Sequence, residues 1–131
     1  MINASALLLT FSILWLLVHI LLQALLATKE LGVDWNIGAR DGNDQIKTIA
    51  AQRASRASRN YQETLPAFFA LILASLVYPV NHEYCLLGGS IWAIARILYL
   101  PLYLYGVRFW RTIIWGISII GLLIMVVAMW C

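Results

Sequence analysis

Two stretches of this chain carry no charged side chain: Met1 to Thr28 and Thr112 to Cys131. Each is long enough to cross a bilayer, because a helix of about 20 residues rises roughly 30 Å, the thickness of the hydrocarbon core. Apolar runs of that length cannot be hidden in the small core of a 131-residue soluble domain. Composition agrees. The chain is 63% hydrophobic and 11% charged, against roughly 45–50% and about 25% for soluble domains. Lipid must solvate much of the surface, and the length allows one domain.

Between the two runs the pattern predicts two more helices, giving spans at about 4–27, 48–78, 85–104 and 110–130. The first run lacks a basic leading segment and is too long for the core of a signal peptide, so it reads as a retained helix. Thr28 to Gln45 is polar, holds Gly32, Gly38 and Gly42, and reads as an exposed loop. The second helix begins in Ala- and Arg-rich sequence and passes into the apolar segment Leu65 to Val80. A turn at Pro79 to Glu83 precedes the third span, which contains Arg96 and Pro101. Another at Tyr105 to Arg108 precedes the fourth. No strand alternation appears, and a barrel needs many shorter segments. The expected fold is all-α, an integral membrane four-helix bundle.

The charges set an orientation. Lys29, Arg40, Lys47, Arg53, Arg56 and Arg59 fall around the first connection, with Arg108 and Arg111 at the last. The other face offers only His82 and Glu83. By the positive-inside bias both basic loops are cytoplasmic and both termini outside. Nothing supplies the soluble basic face of a nucleic-acid binder. Cys85 and Cys131 lack the CxxC spacing of a zinc or haem-attachment motif, so no metal site is expected. They read as two unpaired packing residues, with a disulfide as the alternative.

The chemistry concentrates in residues 56–66, RASRNYQETLP. At 100° per residue, Arg56, Arg59, Asn60 and Glu63 share one helix face, while Ala54, Ala57, Ser58, Tyr61 and Leu65 occupy the other. Charges near hydrocarbon cluster where they face a cavity or one another, so the stripe predicts a charged site buried among the helices. The third helix repeats the device, with Trp92, Arg96, Tyr99 and Tyr103 on one face. Arg96 lies mid-span and needs an internal partner, for which Glu63 is the expectation. Arg111 and Thr112 open the fourth helix. The plain alternative makes the arginines headgroup anchors and the tyrosines an interfacial belt. His19 reads as a hydrogen-bonded packing residue.

Several guanidinium forks suit carboxylates, and one carboxylate suits an ammonium. A small zwitterion with excess carboxylate fits, and glutathione has two carboxylates, one ammonium and a thiol. An adjacent arginine would favour its thiolate, and Tyr99, Tyr103 or Thr112 offer hydroxyls to the sulfur.

The run Arg56-x-x-Arg59-Asn60-x-x-Glu63-x-x-Pro66 at the start of the second of four spans resembles the signature of the MAPEG family, membrane-associated proteins in eicosanoid and glutathione metabolism. Arg96-x-x-Tyr99-x-x-x-Tyr103 and Arg111-Thr112 are similar to that family too, most closely to its small bacterial branch related to microsomal glutathione transferase and prostaglandin E synthase. The resemblance implies a homotrimer in the bacterial inner membrane, with glutathione as co-substrate between neighbouring subunits. It implies Arg56, Arg59, Asn60, Glu63, Arg96, Tyr99, Tyr103 and Arg111 as glutathione contacts, with Arg111 also the catalytic group beside the thiolate. The hydroxyl of Thr112, next to Arg111, is read from its position as a further hydrogen bond to the thiol. Tyr99 stands where prostaglandin E synthase has a histidine and Trp115 where it has a tyrosine, which argues against prostaglandin chemistry. The expected activity is a glutathione-dependent transferase or peroxidase acting on hydrophobic electrophiles from the lipid. The rivals are a non-catalytic lipid- or ligand-binding scaffold of the same family and, more distantly, a small multidrug transporter. The first span has no acidic residue for proton coupling, which weakens the transporter.

Overall fold

The computed structural model describes residues 3–131. Among them the chain is helical without strands: α1 (Ala4–Leu31), α2 (Val33–Ile37), α3 (Ile49–Val77), α4 (His82–Tyr105) and α5 (Arg108–Ala128). Three of the four long helices, α1, α4 and α5, are long and apolar enough to cross a membrane. The fourth, α3, is as long, but its first half carries Arg53, Arg56, Arg59 and Glu63.

Each helix shows its packing face in its spacing. On α1 the buried positions are Ser5, Ser12, His19 and Ala27. Near-heptad repetition of mostly small side chains lets a neighbour approach closely, which is how helices associate where lipid is as apolar as the interface. That neighbour is α3, which buries Ala51, Ala54, Ala57, Ser58, Tyr61, Leu65, Phe68 and Ile72 at helical spacing. The Tyr61 hydroxyl donates to the Ser12 carbonyl at 2.9 Å. The most extensive pair is α4 with α5. There Gly88 and Gly121 meet backbone to backbone, and a Cβ at Gly88 would stand 2.5 Å from the Gly121 carbonyl oxygen. Stacked Phe68 and Trp92, 4.1 Å between ring centroids, join α3 to α4 at the centre.

The first connection departs from the expected loop. Helix α1 runs on to Leu31, and α2 follows directly after Gly32, whose φ of 92° makes the break. Glu30 Oε1 accepts the backbone N–H groups of Lys47 and Thr48 at 2.6 and 3.0 Å. One carboxylate thus satisfies donors at the start of α3, a capping role no local sequence signal announces. Cys85 is buried and Cys131 exposed, and both are free thiols. His19 packs by stacking on Tyr61 at 4.8 Å, and its Nδ1 has no hydrogen-bond partner in place of the expected bond.

Candidate functional site

Tyr61 faces the core, so the opposite face of α3 faces outward. Arg56, Arg59 and Glu63 are therefore exposed on the single chain, and the expectation of a charged stripe buried among one chain's own helices is corrected. The reason is angular. The small residues Ala54, Ala57 and Ser58 fit against the neighbouring helices, which turns the side chains about 180° away into the surroundings. Arg53, one turn before Arg56, by contrast turns toward α4. Its Nη1 donates to the Leu104 carbonyl at 3.0 Å, at the C-terminal end of α4.

Arg96 is the one buried cation of the described residues, 1% exposed. Its expected partner was Glu63, but its Nη1 donates to Asn60 Oδ1 and its Nη2 to Thr64 Oγ1, each at 2.8 Å. Asn60 and Thr64 are four residues apart on the flank of α3 that faces α4, whereas Glu63 sits between them in sequence and points outward. The guanidinium is thus held by neutral acceptors, and its Nε has no partner. Trp15 of α1 adds a bond from Nε1 to the Arg96 carbonyl at 3.2 Å, tying α1 to the same level.

Beside this pair opens a cavity of about 210 Å³, lined by Asn60, Tyr99, Tyr103, Arg111, Thr112 and Trp115. It gathers side chains from α3, α4 and α5. The rings of Tyr99 and Tyr103, one turn apart on α4, lie 5.4 Å apart between centroids. The Arg111 guanidinium lies 4.7 Å over the Tyr103 ring, and that of Arg96 is 5.5 Å from the Tyr99 ring. The Thr112 hydroxyl donates back to the Arg108 carbonyl at 3.3 Å, so its lone pairs rather than its proton face outward. Arg56, Arg59, Glu63 and Arg96 do not line the cavity.

The arrangement presents a cation over an aromatic face, with hydroxyl and amide groups around it and no carboxylate. It suits an anion. Drug-sized ligands occupy roughly 300–1,000 Å³, so the cavity within one chain is only part of a site for a tripeptide. Sequence reasoning missed Thr64. Its signal was a hydroxyl four residues after Asn60, at a depth where a polar group needs a reason to be there.

A comparison with protein families gives one match, the MAPEG family, over residues 8–130. No curated protein and no solved structure matches the chain.

Proposed function

This chain belongs to the MAPEG family, which includes glutathione transferases and eicosanoid synthases, and from that premise we propose that it is a glutathione-dependent transferase or peroxidase acting on hydrophobic electrophiles. It works as a homotrimer of four-span subunits in the bacterial inner membrane, with the basic loops cytoplasmic. The observation that carries the reading is the cavity in which Arg111, Tyr103, Tyr99 and Asn60 converge beside the exposed stripe of Arg56, Arg59 and Glu63. A second subunit laid on that stripe encloses the missing half of the site. The two carboxylates of glutathione then meet Arg56 and Arg59 and its ammonium meets Glu63, while the sulfur enters the cavity toward Arg111.

The chemistry follows from charge. A free thiol titrates near 8.5, and a guanidinium beside it favours the thiolate at neutral pH. In the transferase reaction the thiol proton goes to solvent and the thiolate attacks an electrophilic carbon presented from the lipid side. A carbon–sulfur bond forms as the bond to the leaving group breaks, and the leaving group departs with its electron pair. Trp115, on the cavity wall, offers an apolar surface to such a substrate.

Calorimetric titration of glutathione into detergent-purified protein, followed by turnover with a chloronitrobenzene, tests this. Saturable binding with release of chloride supports the reading. Binding without turnover of any electrophile or peroxide makes the protein a ligand-binding scaffold, and absence of binding removes glutathione from the account.

A further inference from the structure

Arg96 holds Asn60, and the polarity of that bond decides what the cavity can accept. An asparagine amide has an acceptor end and a donor end, and only its hydrogen-bond partners say which faces where. The guanidinium is a pure donor, so the end turned to it must be Oδ1, as the 2.8 Å bond from Nη1 places it. The reversed amide would set N–H against N–H and leave one arm of a guanidinium that is 1% exposed without its acceptor. Thr64 locks the other side of the fork. Its hydroxyl donates to the Tyr61 carbonyl at 3.3 Å and accepts from Nη2 at 2.8 Å, so its proton and lone pair are each assigned.

From this we infer that Arg96 is a positioning residue that fixes the Asn60 amide with its NH2 group toward the cavity, making Asn60 a specificity-determining donor for an anionic group on the ligand. Arg96 lines no part of the cavity. It acts through Asn60. With Asn60 so fixed, Arg111 and Trp115 are the other donor-only groups on the wall, and the tyrosine hydroxyls are free to donate. A ligand that brings an anion finds partners there. A ligand that brings only a neutral, weakly accepting group leaves those donors unmet. The inference rests on the glutathione reading for its ligand and deepens it to the form bound, the anion at sulfur.

The test separates charge from hydrogen bonding at position 96. Glutathione sulfonate carries a fixed negative charge at the sulfur position, and S-methylglutathione carries none. The wild type binds the sulfonate more tightly, and about tenfold of that preference, the worth of one charge-assisted hydrogen bond, comes from Asn60. Arg96→Gln and Arg96→Met both remove the charge, but only glutamine can donate to Asn60 Oδ1. Arg96→Gln therefore keeps the preference, whereas Arg96→Met and Asn60→Ala reduce it to the part that Arg111 supplies, whatever each does to the affinity for both ligands in common. Equal loss in the Gln and Met variants, or an unchanged preference in Asn60→Ala, overturns the inference. Thermal unfolding of every variant shows that it is folded, and if Arg96→Met fails to fold, Asn60→Ala against Arg96→Gln still decides. If the wild type binds neither glutathione derivative, the functional reading fails separately. Methanesulfonate and its neutral analogue dimethyl sulfone then serve as probes. A larger preferential thermal stabilisation by methanesulfonate in the wild type and Arg96→Gln than in Arg96→Met and Asn60→Ala upholds the inference, and the same response in all four proteins overturns it.

Discussion

Arg111 is the residue on which chemistry and binding separate. Its guanidinium stands over Tyr103 on the cavity wall, away from the stripe that would clamp the peptide carboxylates. Arg111→Ala is expected to raise the pKa of the bound thiol and to lower turnover by about 10²-fold or more, the scale seen when one charge-stabilising donor is lost. Glutathione affinity should change far less. Thiolate absorbance in the ultraviolet, followed against pH for wild type and variant, measures the first effect, and an unchanged titration with unchanged turnover makes Arg111 a headgroup anchor. Residue identity along the chain announced Arg111 and the tyrosines, because a cation at the mouth of an otherwise charge-free span is conspicuous. Thr64 was not announced, since a threonine in a helix is usually unremarkable.

The turn between α4 and α5 shows how one element is fastened to another. Gly106 ends α4 in the left-handed region, with φ 77° and ψ 25°, and Arg53 of α3 reaches across to the Leu104 carbonyl. A Cβ at Gly106 would lie 2.5 Å from Arg53 Nη2. Gly106→Ala therefore meets two penalties, left-handed backbone at roughly 1–2 kcal/mol and displacement of the Arg53 cap. Thermal unfolding in detergent should show the cost falling to the backbone part alone in an Arg53→Ala background. Equal costs in both backgrounds would separate the glycine from the arginine. At the other close approach, Gly88→Ala must drive α4 from α5, where its Cβ meets the Gly121 carbonyl. Overpacking of that kind costs about 1–3 kcal/mol, and the same unfolding assay should register it.

For the whole molecule, the outward stripe of α3 is the feature a single chain leaves unexplained. A charge at the centre of a bilayer costs at least about 2.5–3.5 kcal/mol, and Arg59 and Glu63 lie on the exposed face of a helix that continues into apolar sequence. The proposed second copy over that face would give the stripe polar company. Native mass spectrometry in mild detergent should find a mass near three chains. Glu63→Ala should weaken glutathione binding by about tenfold or more if the enclosed site is dry. A monomer that binds glutathione with wild-type affinity would show that the stripe serves something else. The orientation is tested by labelling single cysteines introduced at Asn36, Tyr105 and Asn81 in a Cys131→Ser background, since Cys131 is exposed and Cys85 buried. Asn36 and Tyr105 should label from the cytoplasmic side alone and Asn81 from the opposite side alone. Labelling of Asn36 and Asn81 from one side would end the four-span arrangement.

The all-helical class, the membrane setting and the family were legible from the chain alone, because each depends on short-range quantities. Charge-free length sets what lipid can solvate, and a spacing of three and four residues sets which side chains share a face. Arg56, Arg59 and Glu63 share a face for that local reason. Which way the face turns is not local. A helix rotates about its axis until its small and aromatic side chains fit their neighbours, and here Ala54, Ala57 and Tyr61 took the core and left the charges outside. The partner of Arg96 was decided in the same way. Asn60, Glu63 and Thr64 lie within little more than one turn of α3, so the sequence offers all three at nearly the same depth. Only the rotation of α3 against α4 brought the amide and the hydroxyl to the guanidinium and carried the carboxylate away.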